Sequence, residues 1–410
     1  MTNLTNKKHL SLFEKYGIEL EYMVVDSQTL DIKPTADLVL GETGEFDHGE
    51  ISWSNELAKH VIELKTTVPT DDLSGSLRAF QSDIRFINQR LEAVGACLLP
   101  TGAHPWMDPN QAELWPHECT EIYTAYDRIF NCKGHGWVNL QSTHLNLPFA
   151  NDEEFKKLHT AIRLILPLLP AIAASSPILD SKVTGYLDTR LFYYNQNQKN
   201  IPQISGRVIP ERVYSEADYF EKILTPSFCA IAPYDPEKIL QFEWLNSRGA
   251  IARFNRMAIE IRILDIQESP RMDIAIIGVI VSLLKKLVAE EWASFSDQIE
   301  LDEEALANIY QEALLRGGAT VITDQKYLKL FGFEDTDKLL IRDFWIDCVN
   351  RLEQQDPEVE LFLPDFRHIL KHGSLAERIL KNYEVNPTTG HLKKIYQDLK
   401  ICLQQGEAYF

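Results

Sequence analysis

Apolar and polar positions change rhythm along this chain. Near the start, "YGIELEYMVVD" (16–26) and "KHVIELKTTVPT" (59–70) read as strands, the second alternating and closed by a proline turn. Leu73, Leu77, Phe80, Ile84, Ile87, Leu91 and Val94 then recur at spacings of four and three, which predicts a helix stopped at Gly95. "GWVNLQSTHLNLPF" (136–149) reads as a strand again, ended by Pro148, and a helix over 152–174 should be kinked by Pro167 and Pro170. The polar stretch 190–210, with scattered Gly and Pro, predicts a long active-site loop or lid. "AIARFNRMAIEIRILDI" (250–266) is the last strong strand signal, handing over to a helix near 272–292. The rest is mostly helical, without linker, repeat or low-complexity tract. The expected organisation is a catalytic sheet-and-helix domain over 1–295, with a helical part over 296–410 packed on it.

Residues two apart in a strand share a face. That rule groups Glu19 with Glu21, Glu63 with Lys65 and Val61, and Ser142 with His144 and Asn146. In the last strand it groups Glu260 and Arg262 with Ala258 and Leu264. Taken singly, each is bland: a Glu-x-Glu is usually a solvated face, a lone histidine a hydrogen-bonded core residue, a Glu-x-Arg a surface ion pair. Four such strands together are less bland. If they lie in one sheet with these faces turned inward, they line a pocket of four carboxylates, an imidazole, a guanidinium and an ammonium. Oxygen-rich donors with one histidine suit Mg²⁺ or Mn²⁺, and the thiolate pattern of structural zinc is absent.

Composition narrows the chemistry. The 410 residues carry a formal charge of −19, which argues against nucleic acid or an anionic membrane as partner. The six cysteines form no CxxC pair, so a reduced, cytoplasmic protein is expected, with Cys132 in "NCKGHG" a plain buried thiol rather than a nucleophile. No signal peptide is expected at the N-terminus, and "IAIIGVIVSLL" (274–284) is too short to span a bilayer and reads as a core helix. There is no GxxxxGK[ST], no GxGxxG after a strand, no GxSxG and no HExxH. A nucleotide would have to be held on a sheet by metals and arginines. Trp137, Phe192, Tyr193 and Tyr194 are open to a substrate or adenine pocket, or to the core.

At "GIELEYMVVD", "IELKTTVPT", "TGAHPW", "STHLNLPF", "AASSPILD", "TGYLDTR" and "GAIARFNRMAIEIRILD", in that order over residues 15–270, the chain resembles the glutamate–cysteine ligase superfamily, in particular its type-2 carboxylate–amine ligases. The resemblance implies an α+β fold like glutamine synthetase and the guanidino kinases: a curved, largely antiparallel sheet with flanking helices, and ATP with Mg²⁺ (or Mn²⁺) on its concave face. It implies Glu19, Glu21, Glu63, His144 and Glu260 as metal ligands, Arg262 on the nucleotide phosphates, and Arg190 near substrate or phosphate. Lys65 and Asn146 are further nucleotide- or substrate-binding candidates. The expected reaction activates the γ-carboxylate of glutamate as an acyl-phosphate and joins it to cysteine or another small amine, as in glutathione biosynthesis. "LQSTHLN" departs from the two alternating histidines of many type-2 members and leaves the amine open. A metal-dependent hydrolase, a phosphotransferase and a non-catalytic binding protein are the alternatives. A homo-oligomer is left open.

Overall fold

A computed structural model describes residues 9–410. Its centre is an eight-stranded antiparallel sheet with flanking helices, a mixed α+β architecture. The strands are β1 (Gly17–Asp26), β2 (Glu45–His48), β3 (Ile51–Asn55), β4 (Val61–Thr66), β5 (Ala96–Leu99), β6 (Ser142–Pro148), β7 (Ala250–Arg253) and β8 (Ala258–Asp265). Their order is β2-β3-β4-β1-β6-β8-β7. The long strand β1 takes two partners on one edge: its first half pairs with β6 and its second half with β5.

Alternation in β1 sends Ile18, Leu20, Tyr22 and Val24 to one side, all fully buried. They join Leu64, Leu145, Leu147, Ile259 and Ile261 in the main apolar cluster, with helices Leu73–Glu92, Asp152–Ile165 and Pro270–Val288. The first two start at side-chain caps, Asp72 accepting from Gly75 N and Asn151 from Glu154 N, and the third starts at Pro270, which lacks the N–H a cap would satisfy. Gly95, at φ +63°, takes the left-handed turn after the first of them. The second breaks at Leu166 into a 3₁₀ turn and a short helix (Pro170–Ala173), because Pro167 and Pro170 withhold backbone donors. The "IAIIGVIVSLL" helix is buried on nearly every side. Among the described residues, no helix is long and apolar enough to cross a membrane.

Three expectations need correcting. The strand expected over 136–149 begins only at Ser142, because His135–Val138 forms a helical turn. The run 250–266 is two strands, a hairpin turning at Phe254–Met257 with Met257 at φ +53°. The stretch 190–210 is no free lid: it opens on helix Thr189–Tyr194 and buries Ile201, Ile204, Val208 and Ile209. A β-bulge also overturns one face assignment. Between Thr143 and Leu145 strand β6 advances two residues, while β8 advances three, from Ile261 to Leu264. The extra residue puts Leu264 among the apolar cluster and swings Asp265 to the side of Glu260 and Arg262.

Candidate active site

Register brings the polar side chains of four strands together. Glu19 lies opposite Lys65 on one edge and His144 on the other; Glu21 lies opposite Glu63, and Glu260 opposite Asn146. His144 Nδ1 is 2.8 Å from Glu19 Oε2 and 3.8 Å from Glu260 Oε1. Its Nε2 is 2.9 Å from Ser142 Oγ and 3.7 Å from Glu21 Oε1. The backbone N–H and hydroxyl of Ser142 both donate to Glu21, at 2.8 and 3.0 Å. Asn146 donates to Glu19 at 3.1 Å. Ser54 donates to Glu63, and Lys65 to Ser54 at 2.9 Å. Arg262 grips one Glu260 oxygen through Nε (3.0 Å) and Nη2 (2.6 Å), and Arg253 stands 3.6 Å from the other.

The electrostatics are those of an acidic cluster short of cations. Burial would lower the His144 imidazole, but its hydrogen bond to Glu19 and the charges of Glu21 and Glu260 hold it up at about 9. Burial would raise Glu19, but His144 holds it down at about 2. Glu63 has Lys65 at 3.4 Å and accepts from Ser54, but burial, then the charge of Glu19, outweigh them and push it up to about 7. Glu56, which no strand alternation marked, faces the same cluster; burial, then the charges of Glu21 and Glu63, push it well above the carboxylate range.

Arg190 and its setting explain three of the short motifs. Asp188 caps helix Thr189–Tyr194 and so places Arg190 in its first turn. Arg190 Nε donates to Asp265, the residue the bulge turned inward; both are buried. Ser175 N and Ser176 Oγ donate to the other Asp265 oxygen, each at 2.8 Å. Gly102 of "TGAHPW" donates to Ser175 Oγ at 2.7 Å, and a Cβ there would collide with the Asp265 carboxylate. "TGAHPW", "AASSP" and "TGYLDTR" thus converge on one carboxylate that aims one arginine. The serines of "AASSP" hold this buried pair. Asp265 was hidden because the bulge reverses its parity, and Glu56 because it sits between strands.

Two cavities flank the cluster and share Glu56, His144 and Arg262. One, of about 800 Å³, is lined by Glu19, Glu63 and Glu260 and by Lys15, Lys65, Arg253 and Arg256. The other, of about 410 Å³, is lined by Glu21, Arg190, Tyr123, Tyr126, Trp137, Tyr194 and Trp244. Phe192 and Tyr193 pack instead on Tyr186 and His135, with ring centroids 4.3 and 5.5 Å apart. Cys132 is fully buried, and burial pushes its thiol up, away from nucleophilic character.

The family described as glutamate–cysteine ligase family 2 matches residues 15–398. The chain belongs to this family. An uncharacterized protein of Archaeoglobus fulgidus is 32% identical over 398 residues, covering 96% of this chain and 99% of its own. A Herpetosiphon aurantiacus protein named "Putative glutamate--cysteine ligase 2" is 22% identical, with 93% of this chain and 91% of that one covered. Among solved structures, the chain is similar to the glutamate–cysteine ligase of Francisella tularensis in complex with AMP, at 13% identity and TM-score 0.62, covering 95% of this chain and 88% of that one. It is also similar to PafA, the ligase of the ubiquitin-like protein Pup, at 11% identity and TM-score 0.52, covering 99% and 78%. At such identities the likeness is one of fold. As a family 2 member, the chain is a glutamate–cysteine ligase-like carboxylate–amine ligase.

Proposed function

We propose that this chain uses ATP to activate a carboxylate, the γ-carboxylate of glutamate, as an acyl-phosphate and joins it to a small primary amine, releasing ADP and phosphate. The observation that carries this reading is the shared acidic cluster between a cation-rimmed cavity and an aromatic one. Buried like charges persist only if something neutralises them. Glu19, His144 and Glu260 offer ligand atoms within 4.8 Å of one another, as do Glu21, Glu63 and His144. Mixed carboxylate and imidazole donors fit Mg²⁺ or Mn²⁺, with Glu56 a further ligand of the second set. When bound, such cations supply positive charge where the phosphates gather.

The chain's own groups do the rest. Lys15, Lys65, Arg253 and Arg256 line the larger cavity, assigned to the nucleotide, and set the triphosphate against the acidic strands. Arg262, planar and permanently charged, sits between the cavities and meets the charge that builds on the transferring phosphoryl. A substrate carboxylate oxygen attacks the γ-phosphorus and ADP leaves. The amine, having lost its extra proton, then attacks the acyl carbon; the bond to phosphate breaks, the electron pair leaves with phosphate, and a second proton goes to solvent. Arg190 clamps the acid so that its reacting oxygen points at the shared cluster. Asn146 holds Glu19, and Ser142 holds both Glu21 and His144, fixing their orientation.

Hydroxylamine tests this directly, because it traps an acyl-phosphate as a hydroxamate whatever the natural amine. Incubation with Mg-ATP, L-glutamate and hydroxylamine should give hydroxamate and ADP one for one. Hydrolytic turnover without ATP, and no hydroxamate, would replace the ligase reading with that of a metal hydrolase. Omitting hydroxylamine and adding L-cysteine asks whether cysteine is the amine.

A further inference from the structure

One stretch of chain brings three unpaired polar atoms to the smaller cavity. Arg190 and Tyr194 lie one turn apart in helix Thr189–Tyr194. The chain then keeps winding: Asn195 N donates to Leu191 O, Gln196 N to Tyr193 O and Asn197 N to Tyr194 O. Gln198 comes next, so Arg190, Tyr194 and Gln198 recur at the four-residue spacing that shares one side of a coil. All three are buried and all three line the cavity. Each keeps a buried polar atom without a hydrogen-bond partner among the described residues: Arg190 Nη2, Tyr194 Oη and Gln198 Oε1. Arg262 stands near Tyr194. The Gln198 amide is oriented by its neighbour. Its Nε2 donates to Ser247 Oγ at 2.9 Å, and Ser247 in turn donates to Leu245 O. Ser247 must therefore accept from the amide nitrogen, which leaves the amide oxygen free.

Along the coil the stripe thus offers a cationic donor, a hydroxyl and a neutral acceptor. A buried donor or acceptor left unmet is costly, so a ligand that fits brings an anion for Arg190 and an N–H or O–H for Gln198. Arg190 already holds the acid in the reaction above, through the carboxylate that is not activated. The group carried beside that carboxylate is then the one that meets Gln198. Aromatic faces of Tyr126, Trp137 and Trp244 line the same cavity and favour a cation there over a hydroxyl. Resting on the ligase reading above, we propose that Gln198 is a specificity-determining residue for the acid: its Oε1 accepts from the α-ammonium of an α-amino dicarboxylate while Arg190 holds the α-carboxylate. Tyr194 Oη, between them in the stripe, serves either group. An acid without the amino group leaves Gln198 unpaired and is rejected. This assignment leaves Glu21 and Glu56 to the metals and Arg262 to the phosphoryl.

The test varies the acid and keeps hydroxylamine as the amine, so the natural amine does not enter. Under saturating Mg-ATP and hydroxylamine, kcat/KM for L-glutamate should exceed that for glutarate at least a hundredfold and that for 2-hydroxyglutarate at least tenfold. Gln198→Leu should raise KM for L-glutamate at least tenfold with a smaller change in kcat, and leave KM for glutarate within twofold. Gln198→Glu, which keeps an acceptor, should retain the preference for L-glutamate. Glutarate used as well as L-glutamate by the wild type overturns the proposal, with no variant needed. So does Gln198→Leu if it moves KM for both acids alike or for neither. Hydroxamate formed without an α-amino preference rejects the role of Gln198 and leaves the ligase. If no acid gives hydroxamate, the ligase reading fails and calorimetric titration of the protein with Mg-ADP decides. L-Glutamate binding at least tenfold tighter than glutarate, with the difference lost in Gln198→Leu, sustains the site; equal binding or none rejects it.

Discussion

Strand β1 carries two different environments on one face. Glu19, Glu21, Met23 and Val25 all point the same way, two residues apart. Glu19 and Glu21 look into the cavities. Met23 and Val25 are fully buried with Cys97 and Leu99 of β5, under Leu375, Ile379, Leu392, Ile395 and Leu399 from helices Leu375–Val385 and Thr389–Gln405. What differs is the neighbour. On the same edge, β6 brings His144 to Glu19, and β5 brings Leu99 to Met23. One half was made to be covered by protein, and each of its large side chains gains about 1.5–3 kcal/mol from burial. The other half gives up that gain and accumulates like charges, which is sensible only for a face that meets cations and ligand.

Four experiments would break or sharpen that contrast. The largest effect belongs to the charged half. Glu19→Gln, Glu63→Gln or Glu260→Gln should lower kcat on the order of a hundredfold to a thousandfold while circular dichroism shows an intact fold; full activity in any two would sink the metal assignment. In the apolar half, Leu399→Ala should cost about 2–5 kcal/mol in urea denaturation, with kcat per folded molecule unchanged. A matching loss of kcat would mean that the two halves are coupled. Next, Mg²⁺ or Mn²⁺ added to chelator-treated protein should stabilise it by about 2.7 kcal/mol at a hundredfold excess over Kd, and Glu63→Gln should blunt the effect. Equal metal stabilisation in both proteins would remove Glu63 from the ligand set.

The smallest effect lies on the other face of the sheet, where His159 is buried beside Phe155 with neither ring nitrogen bonded. Burial, then the charges of Arg163 and Arg248, lower it to about 3. A histidine depressed on folding takes its proton first in the unfolded chain. Its contribution is therefore intact above about pH 6.5 and is lost as pH falls from there toward 3. At pH 5 that loss is about 2 kcal/mol. His159→Leu should match the wild type at pH 8 and exceed it at pH 5; equal midpoints at both values would contradict the assigned burial effect.

Much of this was legible in the chain because period two is a local property. Glu19 and Glu21, Glu63 and Lys65, His144 and Asn146, Glu260 and Arg262 could be paired by counting, and each pair does face the cavities together. Counting failed where the ladder is irregular. The bulge in β8 exchanged Leu264 for Asp265, and "AIARFNRM" hid a hairpin because Phe254 and Met257 are as apolar as the strands they join. Glu56 lies in a connection where no periodicity applies, yet two strands fold it back against Glu21 and Glu63.

By itself, then, the sequence determined the four strands that carry the charged residues, the face on which most of those residues lie, and the main helices that bury the opposite side, because alternation and capping depend only on near neighbours. Tertiary structure alone decided that four charged faces share one cluster, that Asp265 aims Arg190, and that one half of β1 is left open while the other lies beneath the C-terminal helices. These depend on register, on a single inserted residue, and on contacts across hundreds of positions, which no local pattern encodes.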